Sequence, residues 1–258
     1  MMKAVILAGG FGTRLSEETD LRPKPLVEIG GYPILWHVMK IYEAAGINDF
    51  VICTGYKASM IKRYFATYYL EANDVEINIA SGNIHYLGPK ACENWNVTIV
   101  DTGLETMTGG RVKRAATLIG EQPFCMTYGD GVANLDVRKL VAFHKGHGRL
   151  ATVTAVPTPG RFGILDIDDE DRVVRFHEKA EGQMGWINGG FFVLEPGIID
   201  YIEGDETSWE RQPLERLAAD GQLMCYRHID FWKPMDTLRD KRELEALWAS
   251  GSPPWKMW

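Results

Sequence analysis

The sequence predicts an α/β fold: a mostly parallel, twisted sheet with helices on both faces and a small mixed-sheet extension. In the first half of the chain, short apolar runs alternate with longer segments of helical periodicity. These runs are nearly all apolar, which is typical of strands that are buried on both faces of a parallel sheet. In the second half the strand-like runs follow one another closely, which indicates the mixed extension. Together these patterns are those of a Rossmann-like architecture.

The first half of the chain contains four predicted strands and three predicted helices. The strands are expected at residues 5–7, 50–54, 97–100 and 124–128, and the helices at residues 33–45, 59–70 and 110–119. Pro33 near the start of the first helix and Gly46 at its end are typical boundaries. Proline lacks the N–H that the first turn leaves unbonded, and glycine accepts the left-handed backbone that ends many helices.

The second half is predicted to contain strands at residues 151–156, 163–167, 173–177 and 191–194, and helices at residues 213–219 and 238–249. With 258 residues and no low-complexity linker, the chain is expected to form one domain with two halves, at about residues 1–135 and 136–258. The tail cannot continue a helix. Its Trp255 and Trp258 are expected to dock on the body or on a neighbouring subunit.

Composition disfavours several classes of protein. A net charge of −7 argues against a protein that coats nucleic acid, although it leaves room for a local phosphate pocket. No apolar run has transmembrane length, and the apolar N-terminus is too short for a signal peptide, so a cytosolic protein without membrane association is expected. The four cysteines form no Cys-x-x-Cys pair and are expected to stay reduced. His144 and His147 are expected at a solvated helix end rather than as metal ligands.

A glycine-rich loop directly after the first predicted strand is the strongest local signal. It comprises Leu7, Ala8, Gly9, Gly10, Phe11, Gly12, Thr13, Arg14 and Leu15. Glycines let backbone N–H groups approach a phosphate closely, because no Cβ atom blocks the way. The loop is not a Walker A loop, which ends in Gly-Lys-Ser/Thr, nor a dinucleotide fingerprint, because Leu15 stands at the third glycine position. A tight turn without a ligand stays open, but Arg14 favours phosphate binding.

Lys24 is the second basic candidate. It lies between Pro23 and Pro25, which fix the local backbone and prevent a regular helix. A lysine held in this way is oriented in advance and can place its charge on a phosphate. An isolated Lys-Pro would indicate a solvated loop, but the neighbouring glycine loop favours the phosphate role.

Two aspartates are candidate metal ligands. Asp130 lies between two glycines just after the predicted strand at residues 124–128, at the edge where open α/β sheets bind their ligands. Mg²⁺ takes one or two carboxylates together with substrate phosphates, so a carboxylate at this position would suit it. Asp236 precedes the predicted helix at residues 238–249. An ordinary Asp-Gly turn at Asp130 and a helix N-cap at Asp236 stay open as alternatives.

These segments together resemble the signature of the sugar-phosphate nucleotidyltransferase family, whose members join a nucleoside monophosphate to a sugar 1-phosphate and release pyrophosphate. The glycine loop, Glu18-Thr19 and Pro23-Lys24-Pro25-Leu26 carry the resemblance at the family's spacing. It implies that the loop cradles the nucleotide and that Arg14, Lys24 and Asp130 are catalytic. It further implies that Asp130 and Asp236 hold Mg²⁺ as the cofactor, and that the chain forms a homo-oligomer.

Two later segments resemble the family's sugar 1-phosphate site. The resemblance implies that Lys179 grips the acceptor phosphate and that Glu178 and Asn188 bond to sugar hydroxyls. Gly189 and Gly190 would let the backbone approach the sugar. The sequence departs from the family's pattern after the lysine, because an alanine stands where a proline is usual.

Segments along essentially the whole chain, including residues 96–103, 159–163 and 234–241, resemble the branch of the family that transfers CMP. This implies CTP and α-D-glucose 1-phosphate as the substrates. The candidates for further nucleotide contacts are Thr108, Gly109, Gly110 and Arg111. Transfer of a thymidylyl or uridylyl group stays open. The intact set of charged residues disfavours a non-catalytic binding subunit, and Leu15 disfavours an NAD(P)-dependent dehydrogenase.

Overall fold

A computed structural model describes residues 2–88, 92–159, 164–177 and 184–258. The strands within these ranges are β1 (Lys3–Ala8), β2 (Glu28–Ile29), β3 (Tyr32–Pro33), β4 (Asp49–Thr54), β5 (Val75–Asn78), β6 (Asn83–Tyr86), β7 (Asn96–Asp101), β8 (Phe124–Tyr128), β9 (Gly131–Ala133), β10 (Ala151–Pro159), β11 (Ile164–Ile167), β12 (Val173–His177), β13 (Met184–Leu194), β14 (Leu223–Arg227) and β15 (Trp232–Pro234). The α-helices are α1 (Ser16–Thr19), α2 (Ile34–Glu43), α3 (Ala58–Ala72), α4 (Thr108–Ile119), α5 (Val137–His147), α6 (Gln212–Ala219) and α7 (Leu238–Ala249).

The main sheet has nine strands among the described residues. Seven lie in the order β12-β11-β13-β8-β1-β4-β7, and β10 pairs with β13 and β14. Strands β8, β1, β4 and β7 run parallel to one another. Strand β13 pairs antiparallel with β8, and the rest of the sheet is mixed. The predicted α/β fold, with a parallel sheet and a mixed extension, is therefore confirmed.

Both faces of the sheet are covered, as the apolar strand runs predict. Successive residues of a strand point to opposite faces. Ala4 and Ile6 of β1 pack in one core with residues of α2, whereas Val5 and Leu7 pack in a second core with Val112 of α4. All four side chains are buried, which explains why the sequence of β1 is a continuous apolar run.

Five predicted helices occur within a few residues of their expected bounds, as α2, α3, α4, α6 and α7. Helix α5, whose N-cap is Asp136, has no counterpart among the helices whose bounds are predicted. His144 and His147 lie at the end of this helix, but the expectation of a solvated end is wrong for His144, which is buried. Its Nδ1 atom lies 2.8 Å from Thr152 Oγ1, and burial lowers its pKa to about 4.

The C-terminal tail docks on the body of its own chain. Trp255 is fully buried, stacks on Phe231, and donates a hydrogen bond from Nε1 to His37 Nδ1 at 3.3 Å. The ring of Trp258 lies 5.7 Å from that of Trp36. The tail thus closes the aromatic core around α2 and α7.

Three of the four cysteines are buried, and all four are free thiols. Within the described ranges, no helix combines the length and the apolar character that crossing a membrane requires.

Candidate active site

A cleft of about 670 Å³ opens at the carboxyl ends of β1 and β8. The glycine loop forms one wall, and residues 188–190 of β13 form another. A third wall consists of residues 104–108 together with Ser208, Glu210 and Arg211. This is the edge at which open α/β sheets bind ligands. The lining includes most of the predicted site residues, from Leu7 through Arg14 and then Lys24, Thr108, Arg111, Asp130, Asn188, Gly189, Gly190 and Asp236.

Lys24 joins the two candidate metal ligands. Its Nζ atom lies 2.6 Å from Asp130 Oδ2 and 2.7 Å from Asp236 Oδ1. The side chains of Lys24 and Asp236 are only 10% and 6% exposed, so this cluster is largely shielded from water. Burial opposes the charge of Lys24, but the two carboxylates outweigh it and raise the pKa of the ammonium group. The lysine therefore stays charged.

Local backbone structure brings these three residues together from distant parts of the sequence. Lys24 begins a single 3-10 turn, Lys24–Leu26, directly after Pro23. Strands β9 and β15 form a short antiparallel pair with Gly131 opposite Pro234, and Met235 N donates to Asp130 O at 2.8 Å. This pairing sets the segments of Asp130 and Asp236 side by side at the edge of the cleft.

Asp236 does not cap the helix that follows it. Thr237 is the N-cap of α7 and forms a capping box with Asp240, which satisfies the first N–H groups of the helix. The carboxylate of Asp236 points instead to Lys24 and to Arg14, whose Nη1 lies 2.8 Å from Asp236 Oδ2. Since the side chain of Arg14 is 63% exposed, it can turn toward a ligand at little cost.

The three glycines of the loop have different surroundings. A Cβ atom at Gly9 would lie 2.1 Å from Arg111 Nη1, so Gly9 makes room for that guanidinium group. Gly12 has a φ of +67°, which favours glycine, and lies against Thr19. Nothing lies within 4 Å of a Cβ atom at Gly10, which therefore leaves open space.

Arg111 fixes the loop from behind. It is buried, and its guanidinium group donates to the carbonyls of Gly9, Thr54, Gly103 and Leu104 and to the hydroxyl of Thr102. Desolvation lowers its pKa. These bonds tie the glycine loop to the ends of β4 and β7.

The wall formed by residues 188–190 is closely packed and hydrogen bonded. Gly190 has a φ of +80°, and a Cβ atom there would lie 2.7 Å from Cδ2 of Tyr128. Asn188 Oδ1 accepts a hydrogen bond from Gly190 N at 2.8 Å, and Trp232 Nε1 donates to Gly189 O at 2.6 Å. Asn188 and the two glycines are thereby held in place.

Comparison with known proteins shows the family of the chain. A profile of the nucleotidyl transferase family matches residues 3–233. The chain belongs to this family.

Several known proteins are similar to this chain over all or nearly all of its length. The glucose-1-phosphate cytidylyltransferase of Salmonella typhi is 56% identical over 260 residues, and the probable glucose-1-phosphate cytidylyltransferase of Bacillus subtilis is 44% identical over 258 residues. In both comparisons the alignment covers all of each chain. The crystal structure of HddC from Yersinia pseudotuberculosis has a TM-score of 0.76 at 25% identity, covering 96% of this chain and all of that one.

Four predicted site residues are not among the described residues that line the cleft. Glu178 and Lys179 fall outside the described residues. Gly109 and Gly110 do not line the cleft but pack against the backbone of Asp205 and Thr207, where a Cβ atom would lie within 2.7 Å of it. Their part in nucleotide binding stays a prediction.

Several residues that line the cleft are not among the predicted site residues. They include Tyr128, Ser208, Glu210 and Arg211. Tyr128 stands two residues before Asp130, which was the available signal. The polar run before α6 carries no recognisable motif, so nothing in the sequence singled out Glu210.

Proposed function

We propose that the protein transfers CMP from CTP to α-D-glucose 1-phosphate, giving CDP-glucose and pyrophosphate. The observation that carries the proposal is the cluster of Lys24, Asp130 and Asp236 beside the glycine loop. The choice of base and sugar is supported by full-length identity of 56% to a glucose-1-phosphate cytidylyltransferase.

The reaction brings two anions together, so charge neutralisation and positioning are the main demands on the protein. A phosphate oxygen of the sugar 1-phosphate attacks the α-phosphorus of CTP, and the bond to pyrophosphate breaks in line with the attack. No general base is needed, because the attacking oxygen is already ionised near neutral pH. Arg14 and Lys24 would offset the charge on CTP and on the leaving pyrophosphate.

The donor set suits Mg²⁺. Both carboxylates of the cluster contact one ammonium group, so they converge on a single position that favours a cation. Across the described ranges, no group of three or more His, Cys, Asp or Glu side chains is placed to hold a metal ion. A site with two carboxylates leaves the other positions to water and substrate phosphates, which is the usual coordination of Mg²⁺ in such enzymes. Held by Asp130 and Asp236, the ion would stabilise developing phosphate charge.

The nucleotide is proposed to lie along residues 7–14, where Gly10 leaves open space. The sugar is proposed to lie against Asn188, Gly189 and Gly190, with Lys179 and Glu178 as further contacts. The two halves of the chain, at about residues 1–135 and 136–258, would then bind the nucleotide and the sugar phosphate respectively. Homo-oligomer formation and a cytosolic location also stay predictions.

The test is a panel of nucleotides. Purified protein is incubated with glucose 1-phosphate, Mg²⁺ and each NTP separately, and pyrophosphate release is measured. A strong preference for CTP is expected. Equal or better use of dTTP or UTP would contradict the base assignment, and no release with any NTP would contradict transferase activity with this acceptor.

A further inference from the structure

Glu210 connects two walls of the cleft. Its Oε1 atom accepts a hydrogen bond from the hydroxyl of Tyr128 at 2.6 Å. Its Oε2 atom accepts from Thr108 Oγ1 at 2.6 Å and from Ser208 Oγ at 2.7 Å. In the described part of the chain no cation pairs with this carboxylate. Its charge is therefore met by three hydroxyl groups in charge-assisted bonds, which are stronger than those between neutral groups.

These bonds fix the direction of a chain of hydrogen bonds. An ionised carboxylate can only accept hydrogen bonds, so the hydroxyl group of Tyr128 uses its single hydrogen to donate to Glu210. The phenolic oxygen can then act only as an acceptor toward Asn188 Nδ2, which lies 3.5 Å away. On its other side, Asn188 Oδ1 accepts from the backbone N–H of Gly190. This second bond settles which end of the amide faces Tyr128.

The amide of Asn188 is thus oriented from both ends. One Nδ2 proton and one Oδ1 lone pair remain for a ligand in the cleft that Asn188 lines. A donor beside an acceptor in a fixed plane matches the hydroxyl groups of a sugar, which can both donate and accept.

Tyr128 is well suited to transmit this orientation. Its ring packs directly on Gly190, and it lies edge-to-face with Phe192 at 6.3 Å. Enclosure and the neighbouring Glu210 carboxylate both raise the pKa of the phenol, so its proton is retained at working pH.

We propose that Glu210 is a positioning residue that acts through Tyr128 and Asn188 to orient the sugar 1-phosphate. This inference rests on the proposed function, because it takes the acceptor to be a sugar phosphate bound at Asn188. The other arm, through Thr108 and Ser208, belongs to the opposite wall and is not part of the relay.

The test separates the affinities for the two substrates. Tyr128→Phe removes only the hydroxyl group and is expected to raise KM for glucose 1-phosphate about tenfold. A rise of this size corresponds to the loss of one hydrogen bond to a charged group. KM for CTP is expected to change by less than about twofold, because no bond on the Thr108 side is lost. Tyr201→Phe is the matched control. Its hydroxyl also donates to a carboxylate, that of Asp220, but on the exposed surface, so it should leave both constants unchanged.

A double-mutant cycle tests the relay itself. Glu210→Ala should raise KM for glucose 1-phosphate in the wild-type background and add no further rise in Tyr128→Phe, since the link is already broken. An unchanged sugar KM in Tyr128→Phe would overturn the proposal, as would fully multiplicative effects. Equal rises in both KM values would also overturn it, because they indicate general distortion. Thermal unfolding checks each variant's fold. Wild-type turnover of CTP with glucose 1-phosphate, measured first, separates failure of this inference from failure of the proposed function.

Discussion

Replacing Arg111 by Met tests whether this residue holds the glycine loop in place. Met keeps the unbranched chain but removes the guanidinium group and all five of its hydrogen bonds. The carbonyls of Thr54 and Gly9 keep other partners, from the backbone N–H groups of Thr102 and Tyr56. The carbonyls of Gly103 and Leu104 keep no partner among the described residues.

The expected loss of stability comes from the carbonyls of Gly103 and Leu104. A carbonyl left without a partner costs about 1–3 kcal/mol when buried, and less where water reaches it. Leu104 is exposed, so water can replace its lost bond in part. We therefore expect the free energy of unfolding to fall by about 3 kcal/mol. For a chain of this size that loss lowers Tm by roughly 6–12 °C.

Urea and thermal unfolding measure the effect, and KM for CTP reports the loosened loop. Arg114→Met is the matched control, three residues further along α4. Arg114 pairs with Asp205 at the surface, where both side chains are close to half exposed, and donates to the carbonyl of Thr102, so its loss should lower Tm much less than the loss of Arg111. The account of Arg111 would be refuted if the two variants unfolded at the same temperature.

Further predictions concern catalysis, packing and pH. Lys24→Ala should lower kcat at least about 100-fold with the fold retained, because charge stabilisation in the cleft is lost; near-normal turnover would contradict its role. Chelation of divalent ions should abolish turnover, and added Mg²⁺ should restore it; activity in excess chelator would argue against metal dependence. Gly190→Ala should cost about 1–2 kcal/mol through its left-handed backbone alone, plus the clash with Tyr128, and unfolding at the wild-type midpoint would rule this out. Burial lowers the pKa of His37 and His144 to about 4, so the unfolded chain takes up protons first and stability should fall as pH drops from about 6.5 to about 4. His144→Gln should reduce the dependence of the free energy of unfolding on pH, measured by urea titration at several pH values. An unchanged pH dependence would contradict the role of His144.

Much of the fold was predictable because its signals are local. Alternating apolar runs and helical periods depend on neighbouring residues, and they placed the parallel strands and five helices. The error at His144 arose because its polar neighbours suggested solvent, whereas the fold packs its ring against Thr152 of β10. Burial of a single polar side chain depends on tertiary packing that local pattern does not contain.

The glycine loop also shows what could not be predicted from the sequence. The sequence marks the loop, but it assigns one reason to all three glycines. The structure separates them, because Gly9 accommodates a guanidinium group from 102 residues away in the sequence. The bonds of Glu210 to Tyr128 and Thr108 likewise join residues 82 and 102 positions apart, and no spacing rule connects them. Long-range contacts of this kind follow from the fold and were not predictable from motifs.

The most direct test of the central claim is to follow the phosphorus spectrum of CTP and glucose 1-phosphate during reaction with the wild-type protein and Mg²⁺. The account predicts that the signals of CDP-glucose and pyrophosphate appear together in equal amounts as those of CTP and glucose 1-phosphate decline. Formation of CMP without CDP-glucose would show hydrolysis rather than transfer, and would contradict the function assigned to this cleft.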